Sequence, residues 1–460
     1  MKKAILAASF LLTSFLQPTP ADAQIVAAGG LHSLSVCSDN SARSWGSNGY
    51  GELGDGTGTS SSIPVQVNTL TGIIGVACGK AHSLFLNNDG TVWACGDNYY
   101  GQLGDSTTTE RHDPVQVIAL TDITAVAGGA YHSIFLKNDG TVWACGSNGA
   151  GQLGDGTTTD RHTAVQANTL TGITALAAGW AHSLFLKNDG TVWACGDNES
   201  GQLGDGTTTI RIDPVQVNTL TGIIAVAGGG LHSLFLKNDG TVWACGFNVH
   251  GQLGDGTTID RLNPIQVTSL TGITSVAGGL MHSLFLKNDA TVWACGYNVH
   301  GQFGDCTTTD STVPVQANTL TGIASLAAGW YHSLFLNIDG TVWACGYNWQ
   351  GQLGDGTTTD RWTPVQLTGL CAIATEVEDL ADEASVTVSP NPTNGKFTLE
   401  GLDKSQAMSL EIRDLMGQEI LRSMIIGPAM ELDLGSQPDG IYFLTIRTAD
   451  ATITKRLIML

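Results

Sequence analysis

The sequence has 460 residues, of which 42% are hydrophobic, and it contains 41 acidic but only 20 basic side chains. A net charge of −21 repels phosphate backbones and anionic lipid headgroups, so we expect no nucleic-acid partner and no peripheral membrane binding. The length and apolar content exclude a disordered protein, and the low charged fraction of 13% suits an extracellular one.

The N-terminal residues have the composition of an export signal. Two lysines precede an apolar run from Ala4 to Leu16, and the Ala-Asp-Ala sequence that ends at Ala23 has the form of a signal-peptidase site. We predict a signal peptide over residues 1–23. No segment reaches the roughly 20 consecutive apolar residues of a membrane-spanning helix, so we expect no transmembrane segment.

A 50-residue repeat fills the chain from Ile25 to Cys371, in seven copies without insertion or deletion. Each copy contains four short apolar runs separated by Gly, Asn, Asp and Pro, which is typical of strands and turns. Seven units of four strands indicate a β-propeller, because each four-stranded blade buries its faces against its neighbours. We predict an all-β chain: a seven-bladed β-propeller over residues 24–371, an acidic linker over 372–385, and a small β-sandwich domain over 386–460.

The repeated motifs resemble those of the regulator of chromosome condensation family. The copies contain close variants of G-G-x-x-H-S-L, N-D-G-T-V-W-x-x-G-x-N and G-Q-L-G-D-G-T. Family members usually carry Trp before the Gly of the V-W-x-x-G segment; here Trp45 does so, whereas six other copies have cysteine. The resemblance implies a propeller that binds partner proteins through one face. It also leads us to expect that the last Pro-Val-Gln-Leu strand completes the first blade.

The residues that recur in every copy are predicted to be structural. The seven histidines, from His32 to His332, hold equivalent places in a ring and therefore do not converge on a metal ion. We expect each to form a hydrogen bond at a strand start, and the tryptophans of the V-W-A-C segments to lie in the core. The aspartates of Gly-Asp-Gly-Thr suit turn hydrogen bonds, with calcium binding as an alternative. We expect no cofactor, no metal site and no catalytic residues.

The Asn-Asp-Gly-Thr hairpins require a residue that tolerates positive φ, which glycine provides in most copies. Asn40 can serve in the first copy. Ala290 stands at this place in the sixth copy, and we predict local strain of about 1 kcal/mol there.

The ten cysteines fall into two groups. Six occupy the repeated V-W-A-C-G position and are predicted to be buried thiols, because equivalent positions of adjacent blades are too far apart for a disulfide. Cys37 and Cys371 fall on the same predicted edge, in the first blade and just after the last. We predict that they pair and staple the ring, as export would permit.

The positions that vary between copies lie on one predicted face. If the V-A-G-G strand runs up, the loop before each histidine and the loop after each V-W-A-C-G strand both lie on top. Seven of the eight tyrosines fall in these loops. Aromatic side chains on loops are typical of interfaces, because they contribute contact area at low entropic cost. We predict binding residues Tyr99, Tyr100, Tyr131, Trp180, Phe247, His250, Tyr297, His300, Trp330, Tyr331, Tyr347 and Trp349.

Several interpretations of this face remain open. The rings could bind an extracellular protein or a glycan, or they could cap the blades and plug the central channel. An extracellular hydrolase would need converging carboxylates or a nucleophile and a base, and the non-repeated Glu110 and Glu199 offer no such partnership. A structural or adhesion spacer would bind no specific ligand. We favour a monomeric binding protein.

Residues 386–460 differ in composition from the repeats. They contain the sequences S-P-N-P, G-K-F, I-R-D, L-D-L, G-I-Y-F and K-R-L in this order. These landmarks resemble the C-terminal sorting domain of the type IX secretion system of Bacteroidetes. The resemblance implies recognition by the secretion machinery through residues 386–460, passage through the outer membrane, and release or attachment at the cell surface.

Overall fold

The structure is a computed structural model. It describes residues 25–317, 320–367 and 369–371, and in the C-terminal part 387–389, 393, 395–400, 408–414, 419–425, 429–435, 437, 440–447 and 452–459. The predicted signal peptide and linker lie outside these residues. The described residues fall into two compact units, one that ends at Cys371 and one that begins at Thr387. Within these ranges, no helix is long and apolar enough to cross a membrane.

The first unit contains seven four-stranded antiparallel sheets, one for each copy of the repeat, and so confirms the predicted seven-bladed propeller. The first strands are Ile25–Ala28, Ile73–Cys78, Ile123–Gly128, Ile173–Ala178, Ile223–Gly228, Ile273–Gly278 and Ile323–Ala328. The second strands are His32–Val36, His82–Asn87, His132–Lys137, His182–Lys187, His232–Lys237, His282–Lys287 and His332–Asn337. The third strands are Ala42–Gly46, Val92–Gly96, Val142–Gly146, Val192–Gly196, Val242–Gly246, Val292–Gly296 and Val342–Gly346. The fourth strands are Ser61–Gln66, Arg111–Gln116, Arg161–Gln166, Arg211–Gln216, Arg261–Gln266, Ser311–Gln316 and Arg361–Gln366.

The hydrophobic core of the propeller lies between the blades. Each of the seven interfaces has its own buried cluster, in which leucine and valine of one blade pack against residues of the next. Between blades 1 and 2, for example, Leu34 and Val36 pack with Phe85 and Cys95. The second strands are buried along nearly their whole length because both of their faces are covered.

The ring closes without exchange of a strand between blades. The last strand, Arg361–Gln366, pairs with Val342–Gly346 of its own blade, so the expectation that it completes the first blade is wrong. The reason is the phase of the repeat: the propeller begins with the first strand of blade 1, and each copy therefore supplies all four strands of one blade. Val26 and Trp45 pack directly into the core of blade 7.

A disulfide joins the two ends of the ring. Cys37 in blade 1 and Cys371 after blade 7 are bonded, with their Cα atoms 5.5 Å apart, which confirms the predicted pairing. The bond closes a loop with a sequence separation of 334 residues. It therefore links the first blade to the last covalently, where the blades share no strand.

The repeated histidines form a closed circle of hydrogen bonds between blades. Each Nε2 lies 2.9 to 3.1 Å from a serine Oγ of the next blade, from the His32–Ser83 pair round to the His332–Ser33 pair. Each serine hydroxyl donates to a backbone carbonyl, as Ser83 does to Glu52, so its oxygen accepts from the histidine Nε2–H. The predicted structural role is confirmed.

The glycine before each histidine is required by this packing. A Cβ at Gly79 would lie 2.1 Å from Cε1 of His82, and equivalent contacts recur in the other blades. Burial without a countercharge lowers the pKa of His82 to about 3, so the ring nitrogens are neutral under ordinary conditions.

The six repeated cysteines are buried thiols, as predicted. The Cys95 thiol lies 3.6 Å from the carbonyl oxygen of Glu52, and burial raises the pKa of this thiol far above its ordinary value. Trp45 serves the same purpose in blade 1, because its Nε1 donates to the carbonyl of Gln352 over 2.9 Å. Cysteine or tryptophan at this position thus supplies a donor to the preceding blade.

The tryptophans of the third strands lie less deeply than expected. Trp193 packs against the cluster between blades 3 and 4 but is only partly buried, and the Lys187 ammonium lies 5.6 Å from its ring centroid. The fully buried tryptophan is Trp45. The prediction that these tryptophans lie in the core is therefore corrected: they lie at the edge of the core, and flexible lysines contact three of the rings, Trp143, Trp193 and Trp293.

The hairpin turns confirm the predicted backbone conformation. Gly240 has φ of 76°, and Asn40 and Ala290 each have φ of 60° at the equivalent place. We expect Ala290→Gly to raise the free energy of unfolding by about 1 kcal/mol, since glycine adopts this conformation without strain. Denaturant titration measures the change. The reciprocal Gly240→Ala should lower the free energy of unfolding by at least as much. The prediction would be contradicted if the two variants had the same free energy of unfolding.

The C-terminal unit consists of two small sheets. Thr387–Ser389, Lys396–Glu400 and Ala429–Asp433 form the first, and Glu419–Ile425, Met408–Asp414, Gly440–Arg447 and Thr452–Met459 form the second, in this order. Phe397 and Leu399 of the first sheet share one buried cluster with Leu410, Ile412 and Leu444 of the second. Two sheets with a common core are a β-sandwich, as predicted.

Candidate binding face

We use the name top face for one end of the propeller. This end carries two sets of loops, those between the first and second strands and those between the third and fourth strands of each blade. Antiparallel pairing within every sheet places both sets at the same end. The predicted site residues belong to these loops, whereas the hairpins between second and third strands lie at the opposite end.

A buried asparagine holds each long loop of the top face. In blade 2 the Asn98 amide donates to Oδ1 of Asp105 and to the carbonyls of Thr107 and Thr109, and its oxygen accepts from the Leu103 amide. The same pattern recurs in the other blades, for example at Asn348. The loop backbone is therefore fixed, and the two residues after the asparagine project from a rigid support.

The aspartates of Gly-Asp-Gly-Thr belong to this support. Asp105 accepts hydrogen bonds from the backbone and hydroxyl of Thr107, as predicted for a turn residue, and it also pairs with Arg111. These hydrogen bonds outweigh burial and lower the pKa of Asp105. The described residues contain no group of three His, Cys, Asp or Glu that could hold a metal ion.

Five of the predicted residues form an array that runs from the outside of blade 2 to the central channel; we call it the channel array. The ring centroids of Tyr99 and Tyr100 lie 4.9 Å apart, and those of Tyr100 and Tyr131 lie 5.3 Å apart. Tyr131 is 6.5 Å from Trp180, which stacks on Trp330 at 5.1 Å with an interplanar angle of 11°. Residues from four blades thus form one continuous aromatic surface.

The Trp180–Trp330 stack lies over the mouth of the channel. The two residues belong to blades 4 and 7, which are not neighbours, and both line a central cavity of about 150 Å³ whose wall is mostly glycine and alanine. Lys80 joins them there, with its ammonium 5.4 Å from the Trp330 ring centroid. These two tryptophans therefore lie where the channel-plug interpretation places them.

Six further predicted residues form a second array, the rim array, on blades 5 to 7. Tyr297 contacts His250, His300 and Tyr331, with centroid distances of 5.0 to 6.1 Å. Tyr347 contacts His300 at 4.8 Å and stacks on Trp349 at 5.9 Å. Since Tyr331 follows Trp330 in sequence, the two arrays meet there.

Hydrogen bonds to aspartates of the next blade orient the histidines of the rim array. His250 Nδ1 lies 2.9 Å from Asp310, and His300 Nδ1 lies 2.8 Å from Asp360 of the next blade. Burial raises the pKa of Tyr297, so its hydroxyl stays protonated and can donate a hydrogen bond at neutral pH. These contacts fix the orientation of the side chains in the rim array.

The structure separates the predicted residues by exposure. Tyr99 is 73% exposed and Trp349 is 69% exposed, while their array neighbours are partly buried. Phe247 is also partly buried and makes none of the ring contacts found among the described residues. The outermost ring of each array is therefore its most accessible part.

Sequence reasoning missed part of this face. Trp362, the second residue of the last propeller strand, is 55% exposed, and Tyr50 is 49% exposed beside Tyr99. Trp362 belongs to a third variable position, which is occupied by a different residue type in most copies. A comparison of the copies at that position would have found it.

The top face is acidic. The arginines that begin fourth strands, such as Arg161, pair with an aspartate of their own loop, and their charge is neutralised locally. Asp97, Glu110, Asp197 and Glu199 add negative charge to loops between third and fourth strands that carry no lysine or arginine in the described residues, whereas Lys80 lies in a loop between a first and a second strand. Together with the net charge of −21, this distribution gives the top face a negative electrostatic potential.

The repeats match a known family of protein domains. A sequence model described as the RCC1-like domain matches residues 10–317 and, in a second overlapping alignment, residues 126–391. The chain belongs to the RCC1-like domain family. A model of the secretion system C-terminal sorting domain matches residues 387–460. The RCC1-like propeller is thus joined to a tail that directs export by type IX secretion to the cell surface or the extracellular space.

Solved structures resemble the RCC1-like propeller at low identity. Human WBSCR16 is 24% identical, with a TM-score of 0.65, and the alignment covers 71% of this chain and 94% of that one. A structure of Kap60 bound to yeast RCC1 (Prp20) matches at 21% identity and a TM-score of 0.67, and the alignment covers 82% of this chain and 92% of that one. Prp20p from Saccharomyces cerevisiae is 23% identical, with a TM-score of 0.64, and the alignment covers 75% of this chain and 87% of that one. These identities show the fold alone. No curated protein matches the sequence.

Proposed function

We propose that this protein is an exported binding protein that captures a partner protein on its top face. The observation that carries the proposal is the pair of connected aromatic arrays, whose outermost rings, Tyr99 and Trp349, are largely exposed. Exposed aromatic residues backed by a fixed framework are typical of interface hot spots, because little entropy is lost when they are buried.

A protein partner fits this surface better than a glycan. The exposed apolar side chains of the top face are spread over several blades and include Ile210, Val249, Ile259 and Val299 between the aromatic residues. A broad surface of mixed aromatic and aliphatic side chains matches the composition of protein interfaces. A glycan is more commonly held by a few rings and many hydrogen-bonding groups in a groove.

The test is capture by the secreted protein after removal of the rim array's exposed end. We expect the double variant Tyr347→Ala/Trp349→Ala to weaken binding of a captured surface protein at least about tenfold, as for hot-spot residues. Surface plasmon resonance on the purified pair measures the change. Trp330 is left intact, because its stack with Trp180 closes the channel.

The control is Trp193→Ala, which removes a partly buried ring that belongs to a third strand rather than to a top-face loop. It should leave the affinity unchanged. Unchanged affinity of the double variant would contradict the proposal, as would specific capture only of oligosaccharides on a glycan array. If the protein retains no ligand at all, the spacer interpretation is supported. If the purified protein degrades a polymer, the hydrolase interpretation is supported.

A further inference from the structure

A pocket on the top face combines tyrosine rings with carboxylates. We call it the tyrosine pocket; its volume is about 330 Å³, and it lies where the top loops of blades 1, 2 and 3 meet. Blade 1 contributes one tyrosine, blade 2 contributes two, and blade 3 contributes one. The side chains that define it are Tyr50, Tyr99, Tyr100, Tyr131, Asp97 and Glu110.

The rings form walls at steep angles to one another. Tyr99 and Tyr100 are inclined by 80°, and Tyr100 and Tyr131 by 62°. Several aromatic rings set around one space are the arrangement that recognises organic ammonium groups, because each ring face carries negative electrostatic potential.

Two carboxylates, Asp97 and Glu110, also line the pocket. Asp97 is fixed by a 3.0 Å hydrogen bond from the Tyr99 amide, and the Glu110 carboxylate lies 3.5 Å from Nε2 of His112. Neither lysine nor arginine is among the described residues that line the pocket. A cation therefore gains from both the ring faces and the acidic side chains.

The protein shows the same chemistry at one of these rings. Lys80 contacts the Tyr131 hydroxyl, and its ammonium lies 4.8 Å from the Tyr131 ring centroid. The surroundings of Tyr131 thus already accommodate an alkylammonium group. The pocket repeats this environment with more rings and with carboxylates.

We infer that the tyrosine pocket binds an alkylammonium group, supplied by a lysine side chain of the partner protein. The inference rests on the proposed function for the source of the lysine, and the negative charge of the top face supports that source. A neutral sugar would use the rings but would gain little from Asp97 and Glu110.

The experiment uses small probes, so that it does not depend on the partner. The full-length secreted protein is titrated by NMR or calorimetry with Nα-acetyl-lysine amide, with choline, and with the uncharged tert-butyl isostere of choline. We expect both ammonium probes to bind and the uncharged isostere to bind at least about tenfold more weakly. Equal binding of choline and its isostere would overturn the inference, as would preferential binding of neutral oligosaccharides.

Variants assign the binding to this pocket. Tyr99→Ala should weaken choline binding at least about fivefold and Asp97→Asn about threefold, since each removes part of the cation's surroundings. Asp197→Asn, at the equivalent place of blade 4, should have no effect. Circular dichroism confirms folding; Tyr99 is largely exposed, so its removal leaves no cavity in the core. Equal effects of Asp97→Asn and Asp197→Asn would refute the assignment.

The two proposals fail in different ways. If choline binds as expected but the rim-array variant retains its partner, the rim array does not hold the partner and the cation pocket stands. If the rim-array variant loses its partner but choline does not discriminate from its isostere, the binding face stands and the cation pocket is wrong.

Discussion

Replacing both Cys37 and Cys371 by serine is expected to lower the free energy of unfolding of the propeller by about 5 kcal/mol, from the entropy of the long loop that the bond closes. The effect is large because the blades share no strand, so that the first and last blades are otherwise held by packing and hydrogen bonds alone. Guanidinium titration of the variant and of the parent protein measures the difference.

Cys306→Ser serves as the control, since Cys306 is exposed and unpaired in the structure. It should leave the denaturation midpoint nearly unchanged, and reductant should lower the midpoint of this control but not that of the double variant. If the double variant unfolds at the same midpoint as the parent, the disulfide does not stabilise the closed ring.

Acidification is expected to destabilise the propeller steeply below pH 6.5. Burial lowers the pKa of His132 and His282 to about 3 and that of His182 to about 4, and it lowers the pKa of His32 as well. Because these values lie below the ordinary 6.5, the unfolded chain binds more protons than the folded one between pH 6.5 and about 4. Stability is therefore full above pH 6.5 and falls with decreasing pH, by about 1.4 kcal/mol per histidine and pH unit.

Denaturation midpoints measured from pH 7.5 down to 4.5 test this expectation. His82→Gln removes one titrating group from the circle and should reduce the slope of stability against pH, whatever its effect on stability at neutral pH. His162→Gln, which changes an exposed histidine, should leave the slope as it is. A stability that is constant from pH 7 to pH 5 would show that the buried histidines take up protons in the folded state as they do in the unfolded chain.

The sequence alone predicts the architecture well because the repeat constrains it. A position that recurs seven times has one environment, so the histidines could be assigned to structural hydrogen bonds and Asn40 and Ala290 to left-handed turns. The Cys37–Cys371 pair also follows, since ring closure brings the first and last copies together. The sequence does not show which strand begins each blade, because any choice of starting strand in a cyclic repeat contains the same four strands.

The arrangement of the top face depends on the ring itself. Trp180 and Trp330 are 150 residues apart and meet only because opposite blades lean over one channel. The contacts of His250 with Asp310 and of Lys80 with Tyr131 cross blade boundaries at spacings that the repeat does not reveal. The sequence therefore identifies which side chains are displayed, while the two arrays and the tyrosine pocket emerge from three-dimensional geometry.

The central claim is that the top face, rather than the opposite end, binds the partner. Its most direct test compares two triple variants against the same purified partner: Tyr99→Ala, Trp349→Ala and Trp362→Ala on the top face, and Ile118→Ala, Ile224→Ala and Ile338→Ala at the opposite end, all of them exposed residues. We predict that the top-face variant loses binding by at least about a hundredfold and that the opposite variant binds like the parent protein. Loss of binding only in the opposite variant would contradict the account.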